Sequence, residues 1–259
     1  MSDGLSASGW EMVEHDDAVA AWVDHVRPLA EAIANDPAQR VEWLRHGETW
    51  FAGVNALGAS GDGVVGGGPP LPGLLVKKLR DGLPRWDTLD AGQISVCYPG
   101  YPKRDATETE AAARFRRKRD AAHMDGLHRI GSPPRRFLKE RHAFVLGLPL
   151  TDAGRDASPM SIWVGSHRIM QDMLVSKLRG TPPKDWDKVD LTDAYVAARK
   201  QCFETCERIE VHARPGAAYV VHRFALHGVA PWRKGTAART VVYFRPFATG
   251  DALRYLAGE

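Results

Sequence analysis

From Gln93 onward the chain contains short segments rich in β-branched and aromatic residues, and turns containing Gly or Pro separate them. They are Gln93–Tyr98, His142–Leu150, Met160–Val164, Ile209–Ala213, Ala217–His227 and Thr240–Phe247. Many short strands bounded by such turns are typical of a β-sandwich or barrel. The sequence therefore predicts a mainly β core with flanking helices.

The first 92 residues predict a helical and extended layer on that core. Apolar residues recur at helical spacing from Asp16 to Asn35, with Asp16 or Asp17 placed to cap the helix. Pro37 suits the first turn of a second helix running to about His46, and Glu48–Leu57 predicts an extended segment. Gly58–Gly73 predicts a loop; it lacks the GxxxxGK[ST] phosphate-binding pattern, and no clear helix follows it.

Two further helices interrupt the series of strands, at Arg168–Arg179 and Leu191–Glu207. The chain shows no internal repeat and no low-complexity linker. We therefore expect one domain over residues 1–259, with residues 1–92 as the N-terminal layer, residues 93–250 as the core, and a helical insertion at about 168–208.

Charge and composition narrow the classes of function. The 35 Lys and Arg against 32 Asp and Glu give a net charge of +3, which slightly favours an anionic small molecule and argues against nucleic acid. No apolar run approaches the roughly 18 residues of a membrane helix, and no secretory signal pattern begins the chain. Three cysteines predict no disulfide framework. We expect a cytoplasmic protein with a small-molecule substrate; the oligomeric state stays open.

The first candidate for chemistry is a His-x-Asp triplet at His123–Asp125. Alone it carries little information, because chance gives roughly one such triplet in a chain of this composition. A second triplet does occur at His15–Asp17. It stands at the start of the first predicted helix, where acidic residues favour the helix dipole, so there we prefer a structural interpretation.

The residues that accompany His123 and Asp125 give the motif its weight. Side chains two apart in a strand share a face, so this pair can bind one ion. His227, followed by Gly, comes about a hundred residues later, and Arg239 lies twelve positions beyond it. Two imidazoles and one carboxylate form a facial triad, which leaves three metal positions open for a chelating 2-oxo acid and O₂. Arg239 could pair with the far carboxylate of that acid.

These residues resemble the phytanoyl-CoA dioxygenase family of iron(II)/2-oxoglutarate oxygenases. The resemblance covers roughly Gln93 to Phe247 and rests on the order and spacing of HMDG, IWVGSH and GAAYVVHRFALHGVAPW, followed by Arg239. It implies a double-stranded β-helix (jelly-roll, cupin-like) core, with Fe(II) bound by His123, Asp125 and His227. It also implies that Arg239 binds the C5 carboxylate of 2-oxoglutarate, which reacts with O₂ and a small organic substrate.

The sequence departs from the family at one position near the site. The residue two after the distal His, often Ser in the family, is Val229, which removes one hydrogen bond to the cosubstrate. The aspartate ligand is present as Asp125, which disfavours the related halogenases.

Several residues compete for roles at this site. His222 is the rival to His227, but at five residues' distance it would project from the other face of a regular strand, so we favour a core or outer-sphere position. Arg245 is the rival to Arg239 and lies six residues further on, beside Pro246. His128 and Trp163 are weaker candidates for substrate contacts, with an exposed loop and the core as their ordinary alternatives.

Two other clusters invite a function. The basic run Arg114–Arg119 follows acidic residues on what looks like one helix, an order that suits a solvated helix, although it could also meet an anionic substrate. Cys202, Cys206 and His212 lack a convincing fourth zinc ligand, and buried thiols are the simpler interpretation.

Two other functions remain open on the sequence alone. One is a cupin-like metal enzyme that does not use 2-oxoglutarate, against which the spacing of Arg239 argues. The other is a non-catalytic binding protein on the same fold, against which the intact triad argues.

Overall fold

Two antiparallel β-sheets enclose a shared apolar interior in the computed structural model, which describes residues 3–257. The larger sheet has seven strands in the order β1-β10-β7-β12-β4-β3-β2, and the smaller has the order β11-β8-β9. The strands are β1 (Trp10–Val13), β2 (Leu44–Arg45), β3 (Trp50–Gly53), β4 (Gln93–Cys97), β5 (Leu127–Ile130), β6 (Arg135–Leu138), β7 (Phe144–Pro149), β8 (Met160–Trp163), β9 (Arg208–Val211), β10 (Ala218–His222), β11 (His227–Val229) and β12 (Arg239–Phe244).

The path of the chain between these sheets defines a double-stranded β-helix. From β4 in the larger sheet it crosses to His123, which pairs with His227 at the edge of the smaller sheet. It returns to β7, crosses to β8 and β9, returns to β10, crosses to β11 and ends in β12. The predicted jelly-roll fold is therefore confirmed, and the β5–β6 hairpin is an addition to it.

Side-chain alternation separates the interior of this core from its outer surfaces. On β12, Val241 and Tyr243 point into the space between the sheets, where they meet Met160 and Ile162 of β8. The alternate residues of β12, Val242 and Phe244, pack beneath the N-terminal helices. Because residues two apart share a face, every second position of β12 is directed at the interior.

Helices cover both outer surfaces. They are α1 (Asp3–Ser8), α2 (Asp17–Asn35), α3 (Pro37–Trp43), α4 (Gly73–Gly82), α5 (Glu110–Arg119), α6 (Ser166–Leu178), α7 (Thr192–Thr205) and α8 (Ala252–Ala257), with a 3-10 helix at Pro183–Lys188. The carboxylate of Asp16 caps α2 by accepting from the backbone N–H of Ala18 at 2.7 Å. Within residues 3–257, none of the helices combines the length and the apolar character needed to span a bilayer.

The glycine-rich segment is an ordered loop packed on α2. The indole N–H of Trp22 donates to the carbonyl of Gly63 at 3.0 Å, and Gly68 lies so close to His25 that a Cβ would stand 2.0 Å from its Nε2. The helix that follows, α4, was not predicted. It begins after Pro72 without a side-chain cap, so the usual signal for a helix start is missing.

The helical insertion covers the sheet opposite to the one that the N-terminal helices cover. Both of its predicted helices are confirmed, as α6 and α7. These helices pack on the outer surface of the smaller sheet through a cluster that includes Trp163, Leu174 and Tyr195.

One predicted strand, Ala217–His227, is wrong as a single element. The chain turns after His222, where the N–H of Ala225 donates to the His222 carbonyl at 2.8 Å, and β10 and β11 belong to different sheets. Between Ala217 and Leu226 only His222 and Arg223 interrupt the apolar run, and the turn has no Gly or Pro, so the pattern did not reveal the break.

Candidate metal centre

Two histidines and one aspartate converge at one end of the β-core. Their ligand atoms all lie within 4.8 Å of one another, and His123, Asp125 and His227 are the only such group found within residues 3–257. Asp125 links the two rings, with its Oδ1 at 3.3 Å from His123 Nε2 and its Oδ2 at 3.6 Å from His227 Nε2. The structure therefore brings together all three residues predicted as ligands.

Backbone pairing brings the histidines together. His123 and His227 exchange two hydrogen bonds, of 2.8 Å and 3.0 Å, across adjacent segments. Gly228 makes the approach possible, because a Cβ there would stand 2.2 Å from the carbonyl oxygen of Asp120. Gly126 has a φ of +82°, and its Cβ would meet the Glu140 carbonyl oxygen at 2.2 Å. Both glycines are thus required by close backbone contacts.

Each imidazole is oriented by a carbonyl of its own segment. His123 Nδ1 lies 3.1 Å from the oxygen of Ala121, and His227 Nδ1 lies 3.0 Å from the oxygen of Ala225. A carbonyl can only accept, so both Nδ1 atoms carry the proton and donate it. The Nε2 lone pairs then point at the cluster, as in metal-binding histidines.

The electrostatics suit a cation. Burial favours the neutral form of Asp125, but His227, His123 and Arg245 outweigh it and hold the pKa of the carboxyl well below its usual range. Burial lowers the pKa of His227, which favours a neutral ring with a free lone pair. For His123, burial opposes protonation, and the hydrogen bond that its ring donates to the Asp125 carboxylate raises its pKa in the absence of a cation.

A cavity of about 180 Å³ opens on the three ligands. Its walls are mainly apolar, and Trp50 forms one of them. The Trp50 indole donates to Ser95 Oγ at 3.0 Å and stacks on the His46 ring at 5.6 Å between centroids. Besides the ligands, the lining consists of Trp50, Ala52, Val54, Gln93, Ser95, Val145, Met160, Gly228, Val229, Tyr243 and Arg245.

Arg239 is buried at the start of β12, on the face that points into the core. Its Nη2 lies 3.4 Å from the hydroxyl of Tyr219, which donates to the Tyr243 hydroxyl at 2.8 Å. Its Nη1 has no hydrogen-bond partner among residues 3–257. Tyr243 is also in the wall of the metal cavity, but Arg239 itself lines a neighbouring cavity of about 280 Å³. Arg239 is therefore connected to the wall of the metal cavity through the hydroxyls of Tyr219 and Tyr243.

Arg245, the rival that the sequence disfavoured, does line the metal cavity. Its Nη1 is 3.8 Å from Asp125 Oδ2. Strand periodicity could have identified Arg245 from the sequence. Side chains two apart share a face, so positions 239, 241, 243 and 245 lie on the same side of β12, even though Pro246 ends the strand pattern.

The two weaker candidates for substrate contacts lie elsewhere, so those predictions are corrected. His128 is exposed on β5, with its Nε2 at 3.4 Å from Glu140 Oε2. Trp163 is on the outer face of β8 and packs edge-on against Phe203 at 5.3 Å. Alternation explains its position, because Met160 and Ile162 occupy the inward face of that strand.

The other competing residues have structural positions. His222 is buried on β10, its ring 4.8 Å from that of His167, and its Nδ1 accepts from the Phe224 N–H. Cys202 is a buried residue of α7, and neither it nor Cys206 forms a disulfide. In the basic run, Arg116 pairs with Glu108 and Arg119 lies over the Phe203 ring.

Comparison with known proteins supports the fold. No family model matches the chain, and no curated protein does either. Among solved structures, the non-heme alpha ketoglutarate dependent carbocyclase SnoK from nogalamycin biosynthesis aligns with a TM-score of 0.51 and 16% identity, over 94% of this chain and 81% of SnoK. At that identity the likeness establishes a shared fold.

Two further matches have lower scores and carry no argument of their own. EctD from S. alaskensis with bound Fe aligns at a TM-score of 0.48 and 12% identity, over 95% of this chain and 74% of EctD. A Pseudomonas putida prolyl-4-hydroxylase aligns at 0.46 and 13%, over 96% and 97%. The strand order and the SnoK alignment together assign the chain to the jelly-roll fold; membership of the phytanoyl-CoA dioxygenase family stays a prediction.

Proposed function

We propose that this protein is a non-haem iron(II) oxygenase that uses 2-oxoglutarate and O₂ to hydroxylate a small organic molecule. The observation that carries the proposal is the convergence of His123, Asp125 and His227 at the floor of a cavity, with both Nε2 lone pairs directed at one point. Two imidazoles and a carboxylate with open positions suit Fe(II). Bound iron would supply the activation of O₂.

The residues near the triad also fit the cosubstrate. A buried guanidinium whose Nη1 has no partner among the described residues is costly unless a ligand pairs with it. In the proposed enzyme Arg239 pairs with the C5 carboxylate of 2-oxoglutarate, and the hydroxyl of Tyr243, which accepts from Tyr219, lies close by as a further donor. Tyr243 connects this cluster to the metal cavity, so the cosubstrate would extend past its side chain.

Further observations support the family and the cellular location that we propose for this protein. HMDG and the spacing from His227 to Arg239 support membership of the phytanoyl-CoA dioxygenase family. Three cysteines without a disulfide are in keeping with a cytoplasmic protein.

An anaerobic titration tests the proposal. Wild-type protein is titrated with Fe(II) and then with 2-oxoglutarate, and succinate is measured after O₂ is admitted. We expect uptake of one metal ion per chain, and 2-oxoglutarate binding that depends on the metal and is weakened at least about 10-fold by Arg239→Ala.

The possible outcomes separate the alternatives. A protein that takes up no Fe(II) is a binding protein on this fold. Metal uptake together with equal 2-oxoglutarate affinity in wild type and Arg239→Ala indicates a metal enzyme that does not use this cosubstrate in the proposed way.

A further inference from the structure

One cationic side chain in the metal cavity has no place in the metal or cosubstrate assignments. Arg245 is the only Arg or Lys among the described residues that line this cavity. Its side chain is about 20% exposed, so it is largely withdrawn from water while it still faces the cavity. A half-buried guanidinium beside a metal centre needs either an internal partner or a ligand.

Its internal partners account for only part of its hydrogen-bonding capacity. Nη2 donates to the side-chain oxygen of Gln93, and the backbone N–H of Arg245 donates to Asp90 Oδ1 at 2.6 Å. Nη1 lies 3.8 Å from Asp125 Oδ2, which is beyond hydrogen-bonding distance. Gln93 therefore holds one edge of the guanidinium. Because a guanidinium has five N–H donors in total, this bond uses only part of its hydrogen-bonding capacity.

The charge of the loaded site leaves the Arg245 guanidinium without a close counterion, because Asp90 bonds to the backbone N–H of Arg245 and Asp125 is the one carboxylate paired with the guanidinium among the described residues. A divalent metal, Arg239 and Arg245 bring one more positive charge than Asp125 and dianionic 2-oxoglutarate can balance. The carboxylate of Asp125 would then be directed at the metal rather than at Arg245. One negative charge is thus missing, and a substrate is the component still to be added.

The remaining walls indicate what accompanies that charge. Val54, Val145, Met160 and Val229 are apolar and offer contact to hydrocarbon. The polar members of the wall already have partners inside the protein: Gln93 bonds to Arg245, Ser95 to the Trp50 indole and Tyr243 to Tyr219. A ligand that matches these walls has one anionic end and an apolar chain or ring.

We propose that Arg245 binds the carboxylate of the substrate, so that the enzyme acts on small monocarboxylic acids whose apolar portion lies beside the metal. The proposal rests on the proposed oxygenase function and names its substrate class. It also assigns the preference for an anionic substrate, which the net charge suggested, to Arg245 rather than to the basic run Arg114–Arg119. The basic run on α5 contributes no residue to the cavity wall, and its Arg116 and Arg119 are already engaged by Glu108 and Phe203.

Matched acids and amides test this inference by calorimetry. The protein is loaded with redox-inert Ni(II) and saturating 2-oxoglutarate, then titrated with hexanoate, cyclohexanecarboxylate and phenylacetate and with the primary amide of each. The variants are Arg245→Gln, Arg245→Lys, Arg239→Ala and, as a surface control, Arg129→Gln on the exposed strand β5. Thermal unfolding of each variant reports on folding.

We expect at least one acid to bind wild type about 10- to 100-fold more tightly than its amide, the range of a charged hydrogen bond. Arg245→Gln should abolish this difference and leave 2-oxoglutarate affinity within about 2-fold, whereas Arg245→Lys should keep part of it. Arg239→Ala should show the reverse pattern, and Arg129→Gln should match wild type.

Three results would overturn the inference. They are equal affinity for acid and amide, no binding of any acid, and a loss of 2-oxoglutarate affinity in Arg245→Gln as large as that in Arg239→Ala. If Arg245→Gln does not fold, Arg245→Lys decides, because it keeps the charge and loses the planar fork. If wild type binds no metal or no 2-oxoglutarate, the proposed function fails instead, and the acid–amide comparison on unloaded protein still decides the role of Arg245.

Discussion

The chain contains two His-x-Asp triplets, and the pairs have the same short separation. His15 Nε2 lies 3.3 Å from Asp17 Oδ1, and His123 Nε2 lies 3.3 Å from Asp125 Oδ1. Their surroundings differ. The Asp17 side chain is fully exposed, whereas that of Asp125 is only 9% exposed and lies 3.6 Å from a second histidine.

The difference shows which part of a metal centre a short sequence motif can encode and which part depends on the fold. A His-x-Asp triplet places an imidazole near a carboxylate on the surface or in the core alike, so the pair by itself predicts no ion. The third predicted ligand, His227, comes from a segment that only the fold brings beside His123, whereas the carbonyl that holds each Nδ1 lies two residues before its histidine. The site is therefore a property of the jelly-roll, and the first triplet is a helix start.

The sharpest test of this comparison removes the carboxylate from each triplet. Asp125→Ala should reduce Fe(II) affinity by more than about 100-fold, because even residues that only orient a metal ligand are worth 10- to 100-fold. Asp17→Ala should leave the affinity unchanged, since that side chain is exposed and far in sequence from the cluster. Anaerobic equilibrium dialysis with Fe(II) measures both variants. Equal affinity in Asp125→Ala and wild type would remove the metal assignment.

A smaller change should damage the site without touching a ligand. Gly228→Ala brings a Cβ to 2.2 Å from the Asp120 carbonyl oxygen, on the segment that leads into His123. Displacement of that backbone should lower the free energy of unfolding by about 1–3 kcal/mol and weaken metal binding.

Gly73→Ala is the matched control, because a Cβ there meets nothing within 4 Å. Its unfolding free energy should stay within about 0.5 kcal/mol of wild type. Denaturant unfolding and dialysis together check both glycines. If Gly228→Ala matched Gly73→Ala in both measurements, the close approach of the two segments would not matter for the site.

The sequence predicted most of the core because its signals are local or periodic. Strands β4, β7, β8, β9 and β12 appear as apolar runs, and α2 has both a cap and a helical apolar pattern. His123 and His227 could be paired in advance only through the resemblance to a family, since nothing in their spacing reveals that their backbones exchange hydrogen bonds.

The sequence did not predict which residues line the cavity where this depends on the face of a strand from which a side chain projects. The sequence disfavours Arg245 because it lies six residues beyond Arg239 and beside Pro246, although it continues the face of β12 that carries Arg239 and Tyr243. Trp163 was considered for the pocket, although it alternates with the inward Ile162. The turn between His222 and His227 contains no Gly or Pro, and α4 begins without a cap, so neither feature has a local signal.

The smallest expected effect concerns what the first triplet does instead. The Asp16 carboxylate accepts from the N–H groups of Ala18 at 2.7 Å and Val19 at 3.2 Å, so it caps α2. Asp16→Ala should lower the free energy of unfolding by about 1 kcal/mol, the usual value of an N-cap, and should leave Fe(II) affinity unchanged. Asp17→Ala, which removes no capping bond, should cost less in the same denaturant titration. A metal affinity that fell in Asp16→Ala would mean that the two triplets are coupled, and the contrast between a helix start and a metal centre would no longer hold.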